Sequence, residues 1–174
     1  MRRMLAAFAA IGMGLMATGA LAQSLEAIDK ADEAVWQAWD ATPLTFRHAV
    51  FVGEPPQGFG VYKDRANSTF KSGESLVVYA EPVGYAYKDN GNGTYSFGFN
   101  VDLIVKSPSG EIVGGQENFQ RLELTSRAKN REFMLTLTLD LTNAPPGDYV
   151  LEYKTHDLNS DKVGLMSLPF TLTK

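Results

Sequence analysis

Beyond Pro43 the hydrophobic residues fall at every second position, and that period decides what the chain can become. Tyr95, Phe97, Phe99, Val101, Leu103 and Val105 alternate with Thr94, Ser96, Gly98, Asn100 and Asp102. Phe133, Leu135, Leu137, Leu139 and Leu141 alternate in the same way with Met134, Thr136, Thr138 and Asp140. Successive side chains of a strand point to opposite faces, so each segment is predicted to be a strand with one buried face. Further strands are predicted over 44–52, 75–81, 85–88, 111–114, 119–124, 149–157 and 165–173. Turn chemistry separates them: Asp89-Asn90-Gly91-Asn92-Gly93, Ser107-Pro108-Ser109-Gly110, Asn143-Ala144-Pro145-Pro146-Gly147-Asp148 and Leu158-Asn159-Ser160-Asp161-Lys162. Many short strands with such turns predict an all-β antiparallel sandwich.

Only one segment has a helical period. From 24 to 40, Leu25, Ile28, Val35 and Trp39 share a stripe while Glu26, Asp29 and Glu33 lie off it, with Ser24 as N-cap. Thr42-Pro43 ends it. Ahead of the helix, Arg2 and Arg3 precede an uncharged apolar run and then Ala20-Leu21-Ala22, the order of a secretory leader cut after Ala22. The predicted organisation is a signal peptide over 1–22, a helix over 23–42 and one sandwich domain over 43–174. That places the mature protein in the periplasm or outside the cell, with no membrane span.

The formal net charge is −4, and the only charged residues of the leader are the two arginines, so its removal deepens the acidity. An acidic surface argues against nucleic acid as the partner. The chain has no cysteine, which excludes disulfides, thiolate metal sites and a cysteine nucleophile.

Near the C-terminus, Pro146-Gly147-Asp148-Tyr149, then Asp157-Leu158-Asn159-Ser160-Asp161-Lys162, then Leu168-Pro169-Phe170-Thr171-Leu172 resemble the last two strands of immunoglobulin-like or fibronectin-III-like domains of bacterial secreted proteins. The resemblance covers about 30 residues. It implies that Tyr149 takes the place of a corner tyrosine, its ring in the core and its hydroxyl bonded to nearby backbone. The mature chain as a whole is similar to a group of proteobacterial periplasmic proteins, a likeness that implies no particular activity.

Several local patterns invite a chemical reading. Ser68-Thr69-Phe70-Lys71 has the Ser-x-x-Lys spacing of serine β-lactamases and penicillin-binding proteins, yet Ser72-Gly73 follows where a helix is required. Asp89 to Gly93 is oxygen-rich, but its third and fifth positions are glycines, so a hairpin turn is expected rather than a calcium loop. The two histidines, His48 and His156, are far apart in sequence, and His156 is expected to face solvent. No cofactor and no metal are expected.

Two binding surfaces remain. Phe59 and Tyr62, in a long polar loop over 53–71, join Tyr85 and Tyr87 as a candidate aromatic platform for a ligand. Trp36 and Trp39 on the helix, with the basic residues Arg127, Lys129 and Arg131, form a candidate docking surface for a partner. Each has a plainer reading: tryptophans closing an end of the sandwich, aromatics packing across strands, and a solvated basic loop facing the acidic helix. The expected function is a non-catalytic binding or interaction module of the cell envelope, with an envelope protein or glycan as partner. The alternatives are a hydrolase using carboxylates such as Glu54, Asp64 or Glu81, and a structural or assembly subunit.

Overall fold

The structure, a computed structural model, describes residues 24–141 and 144–174. The predicted leader and Asn143 of the Pro-rich turn lie outside the described residues. Among the described residues one helix, α1 (Leu25–Ala41), precedes nine strands: β1 (Thr45–Phe51), β2 (Thr69–Lys71), β3 (Ser75–Val83), β4 (Lys88–Asp89), β5 (Tyr95–Lys106), β6 (Ile112–Ser126), β7 (Leu135–Asp140), β8 (Gly147–Asp157) and β9 (Val163–Thr173). They form a three-stranded sheet, β1-β3-β7, and a six-stranded sheet, β2-β9-β8-β5-β4 with β6 also on β5. Every pairing is antiparallel except β2 with β9. The protein is an all-β sandwich with an N-terminal helix.

The alternation builds the core. Phe97, Phe99, Val101, Leu103 and Val105 of β5 pack with Leu151 and Tyr153 of β8, Met166, Leu168, Phe170 and Leu172 of β9, and Leu135 and Leu137 of β7. Burying such side chains is worth about 1.5–3 kcal/mol each, in a chain with no disulfide to share the load. Tyr149 stacks on Phe170 at 5.5 Å and its hydroxyl donates to the Pro145 carbonyl at 2.7 Å, which fixes the entry into β8. No helix among the described residues is long and apolar enough to cross a membrane.

Four expectations change. The predicted strand over 85–88 is only Lys88–Asp89, because the chain crosses there from one sheet to the other and its aromatic side chains enter the core from a turn. The predicted strands over 111–114 and 119–124 are one strand, β6; the polar stretch between them stays on β5 by backbone pairing, interrupted by a bulge. The 53–71 segment contains β2 and is no free loop: its first part lies on the outer face of β3, where Val52 pairs with Asp64 and Tyr62 stacks on Tyr79 at 3.9 Å. Finally, Trp39 is the one buried residue of α1, while Leu25, Ile28 and Val35 are exposed. The apolar packing of the helix on the sandwich is made by Trp36 and Trp39, in its C-terminal half.

That end of the helix is stapled. The Lys162 ammonium donates to the carbonyls of Asp40 (3.0 Å), Thr42 (2.8 Å) and Gly84 (2.7 Å), so one cation satisfies the end of α1 and the sheet crossover together. Asp157, buried beside it, accepts from the backbone N–H groups of Ala86 and Asn159 and from the Ser160 hydroxyl. The Asp-x-x-Ser-x-Lys turn is therefore the joint between helix and sandwich. Lys162→Met keeps the aliphatic stem and removes the donors; thermal denaturation is expected to show a loss of about 1.5–3 kcal/mol.

Candidate functional site

The crossover delivers Tyr85 and Tyr87 to the end of the sandwich under α1. Tyr85 is fully buried, stacked on Phe97 at 4.7 Å, and its carbonyl accepts the Trp39 indole N–H at 2.8 Å. Trp36 meets Tyr87 edge-on at 5.6 Å and Trp39 meets Tyr85 edge-on at 4.9 Å. The helix is thus held by aromatic packing with one hydrogen bond at its centre.

The two tyrosine hydroxyls then fix the connection between β6 and β7. Both donate to the carbonyl of Asn130, Tyr85 at 2.5 Å and Tyr87 alongside it. The Asn130 side-chain amide donates to the Ser126 hydroxyl at 2.8 Å, which itself donates to the Ala128 carbonyl at 2.5 Å. Burial pushes both phenols up, Tyr85 beyond any ordinary range and Tyr87 to about 12, so both remain neutral donors in physiological conditions. A phenol whose folded pKa is raised stabilises the fold fully below the unfolded value of about 10 and ceases to do so as pH climbs through the folded one. Tyrosinate absorbance is therefore expected to rise in two steps, with Tyr85 and Tyr87 ionising only as the near-ultraviolet dichroism collapses above about pH 12.

Clamping Asn130 sets the residues on either side of it. Lys129 places its ammonium 5.4 Å from the Trp36 ring, 5.8 Å from Tyr87 and 5.5 Å from Tyr95. Arg131 lies 5.1 Å over Trp36 and pairs with Asp32 at 2.9 Å. With Arg47 from β1 they line a cavity of about 480 Å³, completed by Val35, Trp39, Asn130 and Glu132. Among the described residues neither Arg47 nor Lys129 has an ion-pair partner. The cavity gathers three cations beside Trp39, two of them also held against the Trp36 ring, a chemistry suited to an anionic group.

The structure therefore draws Trp36, Trp39, Lys129 and Arg131 to one place and adds Tyr87 to them. Arg127 is exposed and outside the cavity lining. Tyr85 supports the site from below, where no ligand reaches its ring. Phe59 and Tyr62 sit elsewhere: Tyr62 covers Tyr79, whose hydroxyl accepts from Gly60 N–H at 2.7 Å and donates to the buried Glu81 at 2.6 Å. Glu54 and Asp64 share a separate hollow of about 400 Å³ with Lys63 and Arg65. Sequence reasoning missed Arg47 and Asn130, whereas the Arg131–Asp32 pair follows the plainer reading of a basic loop facing the acidic helix, on which Asp32 lies. Arg47 had a faint signal as a basic residue in a predicted strand, whereas the carbonyl that Asn130 contributes has none.

The remaining patterns are structural. Ser68 lies in a bend ahead of β2 and Lys71 ends that strand, so the pair lacks the helical turn that a Ser-x-x-Lys site requires. Asp89 accepts from Gly91 N–H at 2.8 Å inside its own turn, where Gly91 and Gly93 have φ of 73° and 76°. His156 pairs with Asp102 at 2.9 Å on the outer face of the six-stranded sheet. The Asn118 N–H, then His156, hold the Asp102 carboxyl below the usual range. Among the described residues no three His, Cys, Asp or Glu side chains are grouped to hold a metal.

No family model matches the chain. No curated protein matches it either. Among solved structures the chain is similar to CopC from Methylosinus trichosporium OB3b, at 13% identity over 72% of this chain and 93% of that one, with a TM-score of 0.32. It is similar to the PKD domain of an M14-like peptidase from Thermoplasmatales archaeon SCGC AB-540-F20, at 12% identity over 76% of this chain and 98% of that one, TM-score 0.31. It is also similar to the alkylpurine DNA glycosylase AlkC of Pseudomonas fluorescens bound to DNA containing an abasic site analog. That match has 10% identity and a TM-score of 0.40, and covers 85% of this chain but 37% of that one.

Proposed function

We propose that the chain is an exported, non-catalytic binding module of the bacterial cell envelope, and that its cationic pocket receives an anionic group carried by an envelope protein or glycan. Export rests on Arg2, Arg3, the apolar run and Ala20-Leu21-Ala22. The observation that carries the binding reading is the convergence of Arg47, Lys129 and Arg131 on one cavity in a chain of formal net charge −4. Exposed cations of an acidic protein find carboxylates easily; here, among the described residues, Arg47 and Lys129 pair with none, and Lys129 lies beside the Trp36, Tyr87 and Tyr95 rings. The loop that bears Lys129 and Arg131 is pinned at Asn130, so binding orders little that is not already ordered. Glu132 is the single carboxylate among the described residues lining the cavity, and an acid and base pair needs two groups.

The test is a nuclear magnetic resonance titration of the folded protein with inorganic phosphate and, separately, with glucuronate. The amides of Lys129, Asn130 and Arg131 are expected to move saturably with at least one of them. In the double variant Arg47→Ala with Lys129→Ala the fold is expected to stay and the affinity to fall roughly tenfold or more. Shifts of equal size in that variant, or none in the parent with either anion, would remove the pocket from the account.

A further inference from the structure

β6 is an edge. It runs for fifteen residues along β5, and among the described residues no strand pairs with its other side. Such an edge carries a row of unpaired N–H and C=O groups, and proteins ordinarily cover, shorten or break it. Here, among the described residues, the pairing is interrupted at two points, one at Val113 and one around Asn118. Asn118, at φ 53°, forms a bulge whose N–H donates to Asp102 at 2.8 Å, and the strand beyond it, from Gln120 to Ser126, pairs regularly with β5.

That regular stretch is complementary to itself. Arg121 and Glu123 stand on the outer face, 61% and 54% exposed, while Leu122 and Leu124 pack against the core with part of each still open at the edge. If two such strands run antiparallel about Leu122, every residue meets the one equally far on the opposite side of it. Arg121 of each copy then faces Glu123 of the other, and Leu122 faces its own counterpart, extending the apolar face of the sheet. A shift of the centre to Arg121 sets arginine against arginine, and a shift to Glu123 sets carboxylate against carboxylate. A parallel in-register pairing does both. Opposed unlike charges favour a strand pair and opposed like charges oppose it, so one register is selected and the alternatives are penalised.

We propose that the occupant of this edge is a second copy of the chain, paired β6 to β6 in antiparallel about Leu122, so that the two six-stranded sheets become one continuous sheet across a two-fold axis. The inference is independent of the anion pocket. A two-fold interface uses the same patch on both copies, and the Arg121–Glu123 contact occurs twice.

Sedimentation velocity over a concentration series tests it. The parent protein is expected to move between monomer and dimer. Arg121→Glu alone and Glu123→Arg alone each set like charges opposite one another at both ends of the interface, and each is expected to weaken the dimer roughly tenfold or more. The two substitutions together restore the complementarity and are expected to restore the dimer. Both side chains are more than half exposed, so far-ultraviolet dichroism is expected to be unchanged in all three. Because the chain has no cysteine, the register can be read separately. Leu122→Cys is expected to give a disulfide-linked dimer on mild oxidation, whereas Thr125→Cys, about 20 Å from its counterpart in this register, is not. A monomer at every concentration, a double variant no better than the single ones, or equal crosslinking at both positions overturns the proposal.

Discussion

Replacing Trp39 by alanine is expected to cost about 3–5 kcal/mol and to release the helix while the two sheets stay paired. The indole is 6% exposed, lies edge-on to Tyr85 at 4.9 Å, and spends its N–H on the Tyr85 carbonyl. Its loss leaves a cavity and an unpaired carbonyl together, two penalties at one position. The other holds on α1 are weaker. Trp36 is half-buried, the Asp32–Arg131 pair is partly exposed and worth at most about 1 kcal/mol, and Leu25, Ile28 and Val35 face outward. Dichroism at 222 nm is therefore expected to lose its helical component in a transition that precedes the main one. A single cooperative loss of helix and sheet would show that α1 is integral to the core.

Gly84→Ala is the second large effect, expected at about 2–5 kcal/mol with no change in any functional side chain. Gly84 has φ +81°, a conformation that costs a residue with a Cβ about 1–2 kcal/mol. The added carbon also falls 2.5 Å from the Pro43 carbonyl oxygen and 2.8 Å from that of Thr42. Both are backbone atoms leading out of α1, and the Lys162 ammonium holds the Thr42 and Gly84 carbonyls together, so neither segment can move without the other. Overpacking of this kind adds about 1–3 kcal/mol. Denaturant unfolding measures the total. A midpoint equal to that of the parent protein would mean that the crossover is not packed against the helix exit.

The parts of the fold that were legible in the sequence are those governed by period two. β5 and β7 follow directly from alternation, and Ser24 with Thr42-Pro43 brackets the helix. The parts that were not legible are those where a second layer covers a face. Val77 and Tyr79 sit between Leu76, Val78 and Ala80, an unbroken apolar run that signals burial on both faces; the cover is the 53–65 segment, which reads as a polar loop because its backbone does much of the pairing. The helix misled in the opposite sense. Its stripe of Leu25, Ile28, Val35 and Trp39 has the spacing of a buried face, yet the sandwich surface ends after Trp36 and Trp39.

The candidate site shows the same division. Trp36, Trp39, Lys129 and Arg131 were identifiable as residue types worth attention, since paired indoles and a basic run in an acidic chain are uncommon. Their grouping on one surface was an expectation of the sequence; what holds the loop there was not legible, because it depends on a main-chain carbonyl. Asn130 is held by two phenols from a segment some forty residues earlier, and a carbonyl leaves no trace in residue identity. The same holds for Lys162, whose three acceptors are all backbone atoms.

Two phenols, Tyr85 buried and Tyr87 half-buried, hold the Asn130 carbonyl so that Lys129 and Arg131 are set in place ahead of the proposed anion. Anion affinity of the double variant Tyr85→Phe with Tyr87→Phe tests it, because that variant keeps every cation and every ring and removes only the two hydroxyls. Phosphate or glucuronate binding weakened roughly tenfold, with faster amide hydrogen exchange over 127–132 in a protein that is still folded, is the predicted result. Binding as tight as the parent's, with the loop exchanging freely, would contradict it.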